Sequence, residues 1–125
     1  MKAYQILLDK TLIGTTLLEK ADPPMGVVFG IINFAFKESP YDYLLSYCVR
    51  NNIESANYPE DKIISTRIIP DLVVLDETGK EIKSDGCYIE GMDKEGFEII
   101  IPGIPYPFYE EKFPHHVRDY QNRSQ

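Results

Sequence analysis

The sequence predicts an α+β domain, an antiparallel sheet made of an N-terminal hairpin and a C-terminal meander with one main helix packed on it. Three observations carry that expectation. A double-proline turn, Asp22-Pro23-Pro24-Met25-Gly26, leads into an almost unbroken apolar run over residues 27–36. A Ser39-Pro40 start is followed by apolar residues at helical spacing. Glycine-bearing turns then divide the second half into short alternating segments.

Taken in order, Tyr4, Ile6 and Leu8 alternate with Gln5 and Asp9, which predicts a first strand. Asp9-Lys10-Thr11 is a short polar break before a second strand over residues 12–18, so the two form a hairpin. In the proline turn, Pro24 fixes φ and Gly26 closes a type I geometry, leaving Met25 at the tip. Asp22 precedes a proline, so its backbone is extended and its carboxylate projects from the loop. Beyond the turn, Val27, Phe29 and Ile31 fall on one face, and Val28, Ile32, Phe34 and Phe36 on the other. A strand apolar on both faces is expected to be central and covered on both sides.

The helix is the clearest element. Ser39 is an apt N-cap, Pro40 suits the first helical position, and Asp42 lies in the first turn. Tyr41, Leu44, Leu45, Cys48 and Val49 recur at i, i+3, i+4, i+7 and i+8 as one apolar stripe, and Asn51-Asn52 is a stop. Strands resume after Lys62. Residues 63–69 and 72–75 are one bent strand or two around Pro70-Asp71. Asp76-Glu77-Thr78-Gly79 reads as a hairpin loop and residues 81–90 as its return, with Ile82, Cys87 and Ile89 inward and a break near Asp85-Gly86. A second tight turn at residues 92–96 leads into residues 97–101, completing a meander. Pro102, Pro105 and Pro107 forbid regular pairing, so residues 104–109 are expected to be extended. A last helical turn follows over residues 114–120, before a polar tail that frays from about residue 118.

At 125 residues the chain fits one domain, residues 1–125, long enough to bury roughly two-thirds of its unfolded surface. Thirteen basic against twenty acidic residues give a net charge of −7. That balance argues against nucleic acid, whose phosphates are held through Lys and Arg. The acidity is concentrated. Between Asp76 and Glu98 eight carboxylates (Asp76, Glu77, Glu81, Asp85, Glu90, Asp93, Glu95, Glu98) face three lysines (Lys80, Lys83, Lys94), a balance of −5. It reads either as a solvated hairpin surface or as a docking face for a basic partner. The apolar stretch before Asp9 is too short for a signal peptide, and the longest apolar run is about half a membrane span. A soluble cytoplasmic protein with no membrane partner is the expectation.

Cys48 and Cys87 show no CxxC spacing and are expected as two buried free thiols, Cys87 the more reachable. His115 and His116 are adjacent and do not share a helix face, so they suggest neither a metal site nor a general base. No GxSxG, HExxH, GxGxxG or GxxxxGK[ST] motif is present, and no calcium-loop pattern. No cofactor and no metal are therefore expected. One binding signature does stand out. Tyr43, Tyr47 and Arg50 lie at i, i+4 and i+7, about 160° from the centre of the apolar stripe. Tyr and Arg are the residues that dominate interface energetics.

The segment from Asp22 to Gly30, Asp-Pro-Pro-Met-Gly-Val-Val-Phe-Gly, resembles a segment of small bacterial proteins that have no assigned activity. The resemblance implies no function. Two classes of function remain. The first is a small acidic protein-binding domain of interaction, inhibitor or immunity type, docking through Tyr43, Tyr47, Arg50 and the acidic hairpins, with a homo-oligomer as a further possibility. The second is a small enzyme or ligand-binding protein with a pocket beside the 22–26 turn, Asp22 as acid/base and Met25 as an apolar contact.

Overall fold

The computed structural model describes residues 2–123. Strands β1 (Tyr4–Leu8) and β2 (Thr11–Thr16) form the expected hairpin. Its two-residue turn is made by Asp9 and Lys10 at φ 50° and 67°. Positive φ at both positions matches the right-handed twist of the flanking strands. After Leu17 and Leu18 the chain resumes as β3 (Lys20–Asp22), then winds through one 3-10 turn at Pro23–Met25. Gly26 stops that turn at φ 68°, and its N–H donates to Pro23 C=O at 3.0 Å. A Cβ there would meet the Ile104 carbonyl oxygen at 2.8 Å, so glycine is required twice over.

Strand β4 (Val27–Phe34) is the spine of the sheet. One of its edges pairs with β3 over Val27–Phe29 and with β2 over Ile32–Phe34. Its other edge pairs with β9 (Gly96–Ile101). Helix α1 (Pro40–Arg50) starts as the sequence specifies, with Ser39 Oγ accepting the Asp42 N–H at 3.1 Å. It ends at Asn51, with Asn52 at φ 56°. The following strands are β5 (Ser55–Tyr58), β6 (Ile63–Thr66), β7 (Leu72–Leu75) and β8 (Tyr88–Met92). Helices α2 (Phe108–Lys112) and α3 (Pro114–Arg123) close the chain.

The described residues thus form a mixed α/β fold, one nine-stranded antiparallel sheet with three helices, in the order β5-β6-β8-β9-β4-β2-β1-β7 with β3 beside β4. Its inward face carries Val28, Ile32, Ile64, Ile89, Phe97, Ile99 and Ile101, all buried. The main helix covers the β5–β6 end of that face. Tyr41, Leu44, Tyr47 and Cys48 are its buried residues, and each large apolar side chain so placed contributes about 1.5–3 kcal/mol.

Several expectations change. Central as expected, β4 is nevertheless open on one side around Ile31, which is 55% exposed, while Val27 and Phe29 on that side are half-buried. The buried stripe of α1 is turned by about 60° from the apolar stripe, because the helix leans mainly on β5 and β6. Val49 is consequently 69% exposed while Tyr47 is buried. Pro70-Asp71 separates two distinct strands, and β6 and β7 lie near opposite ends of the sheet. The first of the two expected hairpins shrinks to a bridge between Leu75 and Glu81, and β7 pairs instead with β1. The second, β8–β9, forms in full. Ile82, Cys87 and Ile89 do point into the core. Residues 104–109 are not extended throughout, since α2 starts at Phe108. The expected fraying tail is helical through Arg123.

Candidate functional site: the open face of the sheet

The residues singled out by sequence do not form one site. Tyr47 is 6% exposed, and burial raises its phenol above the ordinary value. Tyr43 is half-buried with its ring 4.7 Å from that of Phe36. Arg50 is exposed and folds back so that Nε donates to Ser46 C=O at 3.3 Å. Of the expected outer face of α1, only Arg50 is fully in solvent. This corrects the placement of Tyr47, and the physical reason is the rotated helix.

Asp22, at the end of β3, and Met25, on the 3-10 turn, are both exposed. The turn is locked from behind. Tyr106 Oη donates to Pro23 C=O and Tyr109 Oη to Val27 C=O, each at 2.9 Å. The Tyr106 and Tyr109 rings stack with centroids 5.2 Å apart. Burial pushes the Tyr109 phenol far above its usual range, so it stays a donor. Neither Asp22 nor Met25 lines the grooves of the sheet face described below.

The thiols and His116 are structural. Cys48 and Cys87 are free and buried, and burial pushes the Cys87 thiol up to about 12. Cys87 is therefore sealed, contrary to expectation. His116 is buried with Nε2 donating to Leu18 C=O at 2.8 Å, which fixes α3 against the loop between β2 and β3. Among the described residues no group of three or more His, Cys, Asp or Glu is arranged to hold a metal ion. Also among them, no helix is long and apolar enough to cross a membrane.

The acidic stretch divides into two populations. Asp76 is buried, accepting from Thr78 N–H at 2.8 Å, Thr78 Oγ1 at 2.6 Å and Lys80 N–H at 3.0 Å. The Lys112 ammonium also donates to it, tying the loop after β7 to α2. Lys112 first and Thr78 second hold the Asp76 carboxyl well below the usual carboxylate range. Asp93 is likewise absorbed, because it accepts from Ser39 Oγ at 2.5 Å and from Tyr41 N–H at 2.9 Å, a second cap on α1.

Glu90, Glu95 and Glu98 belong to the other population. The register sets one outward row across the sheet: Ile31 on β4, Glu98 on β9, Glu90 on β8, Ser65 on β6 and Ala56 on β5. A parallel row holds Lys20, Phe29, Ile100 and Tyr88. Side chains directly opposite in such rows lie about 4.5–5.5 Å apart, and like charges there are destabilising. Glu90 and Glu98 are such a pair. Glu98 is met by Lys20 Nζ at 2.5 Å and, among the described residues, Glu90 by Ser65 Oγ at 3.3 Å. The contact with Glu98 raises the Lys20 pKa.

At the row's other end, both carboxylate oxygens of Glu19 accept the Ile31 N–H, each at 3.2 Å. Gly30 makes room for this. A Cβ on it would lie 2.4 Å from Thr16 Oγ1 and 2.8 Å from the Leu18 nitrogen. Three shallow grooves follow the face. One of about 520 Å³ holds Ile31, Ile63, Ser65, Glu90 and Glu98; one of about 410 Å³ shares Ile31 with Thr15, Glu19 and Asn33; one of about 510 Å³ shares Ser65 with Glu54, Arg67 and Tyr88. Shared walls make the surface continuous. Compared with protein-family models, curated proteins and solved structures, the chain matches none. Sequence reasoning marked the carboxylates of this face as a cluster but missed the rows, since only strand register assembles them.

Proposed function

We propose that this chain is a small acidic protein-binding module of the cytoplasm, docking a basic protein partner on its open sheet face in an inhibitory or immunity-type role. The observation that carries the reading is the opposed Glu90–Glu98 pair beside the exposed Ile31. Lys20 already answers Glu98, so Glu90 is the carboxylate left with a hydroxyl as its partner, and a cationic side chain of a partner would pair with it. An apolar centre with a charged rim is also the anatomy of a docking surface. The balance of −7 would steer a basic partner toward it at long range.

The experiment is capture of a partner on the immobilised protein, followed by affinity measurement with variants. Ile31→Lys and Glu90→Lys are expected to weaken binding at least about tenfold each, and raised salt to weaken it in the wild type. Arg50→Ala, on the helix, is expected to leave binding unchanged. A captured partner indifferent to both face variants overturns the reading, and one lost only with Arg50→Ala moves the site to the helix.

A further inference from the structure

We propose that two copies of the chain associate edge to edge through β5, their β5 strands antiparallel about a two-fold axis at Ala56. This goes beyond docking on the sheet face and does not depend on it. The two edges of the sheet differ. At the β7 edge, Glu81 bridges Leu75 and the Ile82 N–H donates to Val74 C=O at 3.0 Å, so returning chain covers the strand. Strand β5 has no such cover among the described residues. Nor does Ser55-Ala56-Asn57-Tyr58 hold a proline, a charge or a bulge, the devices that normally blunt an edge.

The ladder fixes which groups are free. Arg67 N–H donates to Glu54 C=O at 3.0 Å, and Asp93 N–H to Lys62 C=O at 3.2 Å. Antiparallel alternation then turns the backbone of Glu54, Ala56 and Tyr58 toward β6, and that of Ser55 and Asn57 toward the open edge. A second copy centred on Ala56 sets Ser55 opposite Asn57 twice, satisfying all four outward groups on each strand. Ala56 then meets its own copy at a non-hydrogen-bonded position, where Cα atoms approach to about 4.5 Å and a small side chain fits. The next positions pair Glu54 with Tyr58 of the second copy.

That pairing is self-complementary in charge and shape. Although each copy carries −7, the register opposes no two carboxylates along the strand. Tyr58 is 60% exposed, and the register brings it to the Glu54 and Ala56 wall of the 510 Å³ groove. Arg67, paired with Glu54 at 3.5 Å, offers its ring a cation there. Four residues of edge bury less than a standard interface, so the dimer is weak and concentration-dependent.

Sedimentation velocity from micromolar to millimolar protein tests this directly. The wild type is expected to pass from monomer to dimer over that range. Ala56→Lys, which opposes two cations on the axis, and Ser55→Pro, which removes only an outward N–H, are each expected to raise the dissociation constant at least about tenfold, with unchanged circular dichroism. Because Cys48 and Cys87 are buried, Ala56→Cys gives a positive readout. Under oxidation it is expected to cross-link into dimers far faster than the exposed Ser46→Cys control. A wild type that stays monomeric at millimolar concentration overturns the proposal. So does wild-type dimerisation of Ala56→Lys, or equal cross-linking of the two cysteine variants.

Discussion

The two faces of β4 are equally apolar in sequence and opposite in fate. Val28 and Ile32 point inward and are buried, while Ile31 between them is 55% exposed with Glu98 as its neighbour across the ladder. Apolarity alone therefore did not decide burial. The inward face is closed because strands on both sides send Ile99, Ile101 and Thr16 to the same layer. The outward face stays open around Ile31, where Glu98 and Glu19 are the neighbours, and closes toward Ile100, which is buried; the main helix lies over β5 and β6. An apolar residue on such a strand is left to solvent.

The largest expected effect lies inside. Ile99→Ala on β9 is expected to cost about 2–5 kcal/mol in urea unfolding, whereas Ile31→Ala stays within about 0.5 kcal/mol; similar losses for both would erase the distinction between the faces. Gly30→Ala comes next. Its methyl group would strike Thr16 Oγ1 and the Leu18 backbone, for an expected loss of about 1–3 kcal/mol, read from the same unfolding midpoint.

The buried acid sharpens the comparison through pH. Asp76 has its folded pKa held below the unfolded value. Its stabilisation is thus complete above the ordinary carboxylate pKa of about 3.9 and is lost as pH falls from there toward the folded value. Thermal melts on Asp76→Asn are expected to show a lower midpoint at neutral pH and a smaller acid-induced drop than wild type. An unchanged neutral midpoint would show that the Lys112 contact contributes nothing. Smallest of all, Glu90→Gln is expected to leave stability unchanged or raise it by a few tenths of a kcal/mol, since it relieves the opposition to Glu98. A clear loss of stability would reassign Glu90 to the fold.

Local features were legible where local chemistry decides. Ser39, Pro40 and Asn51 mark the ends of α1 because caps satisfy backbone groups within a turn. The proline turn was legible in the same way, and so was the β8–β9 hairpin with Gly96 at φ 103°. Strand β5 was missed, because Ser55-Ala56-Asn57-Tyr58 carries too little apolar alternation to announce itself. Tyr47 was misplaced for a different reason. A helical wheel gives relative angles, and the axis about which α1 settles depends on what it leans against.

By itself the sequence determined the composition of each segment, the turns, the helix ends and an excess of carboxylates between Asp76 and Glu98. Those follow from backbone stereochemistry and capping, which act over a few residues. Only the tertiary structure decided which carboxylates are spent on architecture, at Asp76 and Asp93, and which face solvent, at Glu90 and Glu98. It likewise decided that β7 joins β1 at one edge and that β5 forms the other. Strand order and register join residues far apart in the chain, and a shift of one residue would send every side chain of a strand to the opposite face.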